Sequence, residues 1–131
     1  MKNSCFSFVL LGLMYFLPTQ AATKNYTPAN IPSTIACNAG DVVTLANGTY
    51  ADKCITITGN GTANNPILVQ AQQAGSVKFT GSSCLKIYGK YITVTGFYYE
   101  TVSSNPIIEF RSSSSTLAQN CRVTNTAIID T

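Results

Sequence analysis

Few residues in this sequence carry reactive or recognising side chains, and the informative ones sit in two short segments. Lys86 and Tyr88 lie in LKIY, and Glu109 and Arg111 lie in IEFR, 23 residues further on. Both segments alternate apolar and polar residues, as half-buried strands do. Were the two strands parallel neighbours, about 4.8 Å apart, Lys86 would lie beside Glu109 and Tyr88 beside Arg111. Two chemistries fit that spacing. One is a surface ion pair next to an arginine-on-ring contact, each worth about 1 kcal/mol or less. The other is the rim of a sugar-binding groove, with Tyr88 as a stacking face and Arg111 paired to a carboxylate. Arg111 and Tyr88 are the candidate substrate-binding residues on the second reading.

Other chemistries are excluded by composition. The chain has no His, which removes any His-based triad, acid–base pair or zinc site. A glycoside hydrolase needs two carboxylates facing one groove, whereas Glu100 and Glu109 belong to different strand series. Gly59-Asn60-Gly61 is followed by no Lys-Ser/Thr and no helix, so it is no phosphate loop. Ser112–Ser115 has no partner base. Lys78, Tyr98 and Glu100 project from a further strand series and read as surface.

The elements that would position these residues recur. GDVVTLANGTY, residues 40–50, alternates Val43 and Leu45 with Val42 and Thr44 and then turns at Asn47-Gly48. Val43/Leu45 is echoed by Ile67/Val69 and by Ile92/Val94, at offsets of 24 and 25 residues. A second series runs Val77/Phe79 to Phe97/Tyr99, and a third runs Leu85/Ile87 to Ile108/Phe110. After the polar Ser112–Ser115 insertion, Ile92/Val94 maps to Cys121/Val123 at an offset of 29. Ile55/Ile57 belongs to no series securely. Three interleaved series at a near-constant period point to an all-β, right-handed parallel β-helix, a solenoid of three sheets. A β-sandwich is the second fold, because Asn-Gly also occurs at Asn47 and Asn60.

Before residue 40 the text changes. Lys2, an apolar run over Phe6–Leu17 and Pro18-Thr19-Gln20-Ala21 describe a secretory leader, residues 1–21, cut after Ala21 or alternatively after Ala22. The run is too short to span a bilayer. Residues 22–39, with Pro28 and Pro32, form an N-terminal cap segment with a short helix around Ser33–Cys37. Residues 40–131 are the first coils, and Ile128–Thr131 stops inside an apparent strand. The expectation is therefore a β-helix incomplete at its C-terminal end, the N-terminal part of a longer protein that is secreted or periplasmic. After leader removal, seven Lys and Arg face five Asp and Glu. That weak, dispersed charge argues against nucleic acid. Four cysteines remain and allow three pairings. Cys37 with Cys54 would close a local loop around the first strand.

The ordered series GDVVTLANGTYAD, GTANNPILVQA, GSVKFTG and LKIYGKYITVTGFYYE resembles the N-terminal coils of family 6 polysaccharide lyases, the alginate lyases and chondroitinase B-like enzymes. IIEFR and NCRVTN extend the likeness over nearly all of the chain after the leader. The resemblance implies β-elimination on a uronate polysaccharide, alginate first and then chondroitin or dermatan sulfate. It implies a Lys base and an Arg acid on coils beyond Thr131, with calcium near the substrate carboxylate of the whole enzyme. No catalytic or metal-binding residue transfers to this stretch, and by itself it is expected to be inactive. The competing readings are a non-catalytic β-helix, such as an adhesin or carbohydrate-binding module, and a pectate lyase-like enzyme.

Overall fold

The structure, a computed structural model, describes residues 20–130. The leader expected over residues 1–21, with Cys5, lies outside them except for Gln20 and Ala21. The chain begins with β1 (Thr23–Tyr26) and β2 (Thr34–Cys37). Three similar windings follow: β3 (Val42–Leu45), β4 (Gly48–Ala51) and β5 (Cys54–Asn60); β6 (Ile67–Ala71), β7 (Val77–Gly81) and β8 (Cys84–Lys90); β9 (Ile92–Thr95), β10 (Phe97–Val102) and β11 (Ile108–Glu109). The last strands are β12 (Arg122–Thr124) and β13 (Ala127–Ile129). Successive strands do not pair. Each pairs in parallel with the strand one winding earlier, in three sheets ordered β1-β3-β6-β9-β12, β4-β7-β10-β13 and β2-β5-β8-β11. The fold is a parallel β-solenoid, and no helix occurs among the described residues.

The inward residues are those the alternation marks. Val43, Val69 and Val94 stack in the first sheet, Ile57 and Ile87 in the third, and Ile67 under Ile92; all are fully buried. In the second sheet Tyr50, Phe79 and Tyr99 occupy one register position on successive windings. Their rings lie 5.1 Å and 4.9 Å apart, and Phe97 adds a contact to Phe79 at 5.2 Å. This aromatic column follows directly from in-register parallel pairing. Tyr50 Oη donates to the Ala46 carbonyl at 2.8 Å. Tyr99 Oη is buried with no hydrogen-bond partner, and burial pushes its pKa up. Replacing Tyr99 with Phe removes an unmet donor, so Tyr99→Phe is expected to stabilise by about 1 kcal/mol. A lower denaturant midpoint in that variant would contradict this.

Several expectations need correction. Val43 pairs with Val69 rather than Ile67, an offset of 26. A slip of two residues keeps every side chain on its own face, so alternation alone could not detect it. Ile55 and Ile57 pair with Leu85 and Ile87 and take their place in the third sheet. Ser33–Cys37 is not helical: β2 covers most of it, with Ile35 and Cys37 buried. Residues 22–39 thus supply two edge strands. Phe110 lies beyond β11 and is 40% exposed, so it does not continue the inward Leu85/Ile87 series.

The disulfide differs as well. Cys54 is bonded to Cys84, which lies directly opposite it on β8, with Cα atoms 4.2 Å apart. Cys37 stands opposite Gly59 instead and is a free, buried thiol whose pKa desolvation pushes up. The pairing of Cys37 with Cys54 is thereby excluded, because strand register brings Cys84, not Cys37, beside Cys54.

Candidate functional site

Outward residues form rows across the windings. In the third sheet Thr34, Thr56, Lys86 and Glu109 stand in register. Lys86 Nζ lies 3.6 Å from Glu109 Oε2, as the 23-residue spacing foretold. Arg111 does not lean on Tyr88. Its Nε donates to Glu109 Oε1 at 3.2 Å, and its backbone bridges to Leu117. Tyr88 stands opposite Thr58. The cation-over-ring contact recorded among the described residues is on another sheet, with Lys78 Nζ 5.5 Å from the Tyr98 ring centre. Lys78 also pairs with Glu100 at 3.9 Å. These surface ion pairs are half-exposed and add little stability. Glu100 and Glu109 stay on separate sheets, as expected.

A concave site appears elsewhere, at the corner between the third and first sheets. The corners of successive windings stack there through backbone bonds. Gly61 N–H donates to the Lys90 carbonyl at 2.8 Å, Ile67 N–H to Tyr91 at 2.9 Å and Tyr91 N–H to Gln119 at 3.0 Å. The stacked corners leave a cleft of about 480 Å³ lined by Ala63, Pro66, Tyr91, Thr93, Asn120, Cys121 and Arg122. Arg122 is fixed by its strand, β12, opposite Thr93, and its Nε donates to Thr93 Oγ1 at 3.2 Å. The guanidinium NH2 groups remain available for an anion. Among the described residues no carboxylate lines the cleft, so none of them neutralises the Arg122 charge there. Tyr91 and Asn120 turn the chain at φ of 51° and 54°. That left-handed conformation suits Asn and is costly for Tyr. It recurs at Asp52, Thr101 and Asn125, so it belongs to the corners in general. A guanidinium, an amide, hydroxyl groups and an aromatic ring can together hold an acidic sugar.

The sequence did not single out Tyr91, Asn120 or Arg122. The offset of 29 from Val94 to Val123 placed Arg122 opposite Thr93, but nothing marked the corner as concave. Among the described residues no three Asp, Glu, His or Cys side chains converge.

Stacked parallel strands around an apolar interior, with polar outer rows, define a parallel β-helix. The family model for chondroitinase B matches residues 30–131, and the chain belongs to that family. Solved structures agree. A mannuronic acid specific polysaccharide family 6 lyase from human gut microbiota is 25% identical, with a TM-score of 0.68, over 81% of this chain and 26% of its own. The PL6 family alginate lyase AlyGC is 28% identical, with a TM-score of 0.70, over 82% of this chain and 15% of its own. The PL6 family polysaccharide lyase Pedsa3628 from Pseudopedobacter saltans, at 24% identity and a TM-score of 0.57, shares the fold over 72% of this chain and 24% of its own. The chain thus spans about a quarter or less of the length of these solved relatives. Among curated proteins no significant match is found.

Proposed function

We propose that this chain forms the N-terminal coils of a secreted or periplasmic polysaccharide lyase that cleaves uronate polymers by β-elimination, with alginate the first candidate and chondroitin or dermatan sulfate next. The observation that carries this reading is the family match over residues 30–131 on a solenoid of the same fold as the solved lyases. The Cys54–Cys84 bond supports export, since disulfides persist in oxidising compartments. No helix among the described residues is long and apolar enough to cross a membrane.

The chemistry divides between this stretch and later coils. A uronate C5 proton becomes removable once the adjacent carboxylate is neutralised, after which a base takes it and the glycosidic oxygen departs with acid assistance. The Lys base and Arg acid implied by the family resemblance are assigned to coils beyond Thr131. Calcium is implied for the whole enzyme in the same way. The residues described here do not fit it, so no step is routed through it. What this stretch contributes is binding. Arg122 in the corner cleft holds a uronate carboxylate of the polymer, and Arg111 and Tyr88 form part of a groove edge.

The full-length gene product incubated with alginate and with dermatan sulfate is expected to release ultraviolet-absorbing unsaturated uronate. Silence on every uronate polymer would refute the lyase reading. Arg122→Ala in that protein is expected to raise KM about 10-fold with little change in kcat, the signature of lost uniform binding.

A further inference from the structure

Ala22 is where the chain enters the fold, and its backbone is held on both sides. Its carbonyl accepts from Val42 N–H at 2.9 Å. Its own N–H donates to Asp41 Oδ1 at 2.7 Å. Asp41 is fully buried, an unusual place for a carboxylate. Its other oxygen accepts from Asn38 N–H at 2.8 Å and lies 3.3 Å from Lys24 Nζ. Gln20 and Ala21, just upstream, are exposed. The Ala21–Ala22 peptide bond therefore lies at the surface, while its nitrogen is within hydrogen-bond reach of a buried anion.

We propose that the Ala21–Ala22 bond is the processing site of the leader, and that the α-ammonium released on Ala22 forms an ion pair with Asp41 that anchors β1 to the solenoid. The proposal rests on the export reading above. A leader peptidase adds water across the bond. Ala21 departs as a carboxylate with its leader, and the two protons of the water complete the Ala22 ammonium. A neutral amide donor thereby becomes a charged one, and charge-assisted bonds are about twice as strong. The geometry also separates the two cleavage positions that the sequence left open. A cut after Ala22 would delete both the donor to Asp41 and the acceptor for Val42 N–H.

Burial raises the pKa of Asp41, but the N–H groups of Ala22 and Asn38 and the Lys24 ammonium outweigh it, and the carboxyl lies below its ordinary range. The Ala22 nitrogen meets Asp41 Oδ1, while the Lys24 ammonium sits at Oδ2 and the Cys37 thiol feels both charges. Burial keeps Cys37 neutral near pH 7, and Lys24 occupies the other carboxylate oxygen, which leaves Oδ1 to the new charge. An amino group gaining an anionic partner has its pKa raised above its ordinary value of about 8. The stability it adds is complete below that value and disappears as pH rises through the raised one.

The test uses the full-length gene product recovered after export. Mass spectrometry is expected to find Ala22 as the first residue. A form retaining one extra residue, Ala21, and an α-acetylated form are each expected to melt about 3 °C lower at pH 7, with the gap closing above about pH 10. The gap is also expected to vanish in Asp41→Asn. If that variant does not fold, the acetylated form and the pH series decide. An intact leader would overturn the export reading and the proposal together. A correct Ala22 terminus with no melting difference, or with a pH-independent one, would overturn the ion pair alone.

Discussion

Gly89→Ala is expected to be among the most damaging single substitutions in this chain, costing at least about 3 kcal/mol. Gly89 on β8 stands in register with Gly59 on β5, and Gly59 with Cys37 on β2. A Cβ on Gly89 would overlap the Gly59 carbonyl oxygen and crowd its carbon at 2.9 Å. These atoms are backbone held in a ladder, so no side chain can swing aside. The φ of Gly89, 124°, lies where L side chains are strained. The Gly89 carbonyl also accepts Gln119 N–H at 2.9 Å, which ties the next winding to the same point. Gly75 serves as the control, because a Cβ there meets nothing within 4 Å and only the positive φ of 81° is challenged. Urea unfolding of both alanine variants should show a far larger loss at Gly89. Equal losses would mean that conformational strain, not the close approach of two backbones, governs this corner.

Phe79→Ala is the second large effect, expected to cost about 3–5 kcal/mol. Phe79 is fully buried in the middle of the aromatic column, with Tyr50 before it, Tyr99 stacked after it and Phe97 tilted against it. Truncation removes ring contacts on three sides. The neighbouring rings sit on separate strands, which the parallel ladders hold at fixed spacing, so the void cannot close. Set against a stability of about 5–15 kcal/mol for an ordinary domain, such a loss is a large fraction of the total and multiplies the unfolded population at least about 100-fold. Phe79→Leu should recover part of it by refilling volume. Calorimetry giving the same melting temperature for Phe79→Ala and the parent chain would show that the column does not bear on stability.

Strand existence and facing were legible because burial imposes a period of two, and Val, Ile, Phe and Tyr fill the inward sites. The pairing of Phe97 with Val77, of Leu85 with Ile108 and of Val94 with Val123 followed from spacing. Register between β3 and β6 did not, since a shift of two residues preserves every facing. β2 escaped notice because TIAC is short and flanked by Pro32 and Asn38, and its partner Ile55/Ile57 had been assigned no series. The disulfide depends on which strand lies beside β5 on each side, which is a property of the winding and not of proximity along the chain. The Lys86–Glu109 pair was readable from the same spacing. The same spacing also suggested Arg111 beside Tyr88, which does not occur, because pairing of β11 ends at Glu109 and the chain departs before Arg111. The corner cleft lay hidden for a different reason. Concavity arises from three bends at different depths in the sequence, and no local pattern in any one of them encodes it.

The Cys54–Cys84 bond joins residues one full circuit apart, 30 positions along the chain. It therefore closes a whole circuit into a covalent hoop, and loop-closure entropy assigns that about 3.5 kcal/mol. Stacked structures fray from their ends, each layer peeling off the next. A hoop in the middle cannot be peeled, because its strands remain tethered when their neighbours leave. Unravelling from either terminus should halt there, leaving a seed on which the lost layers can be rewound.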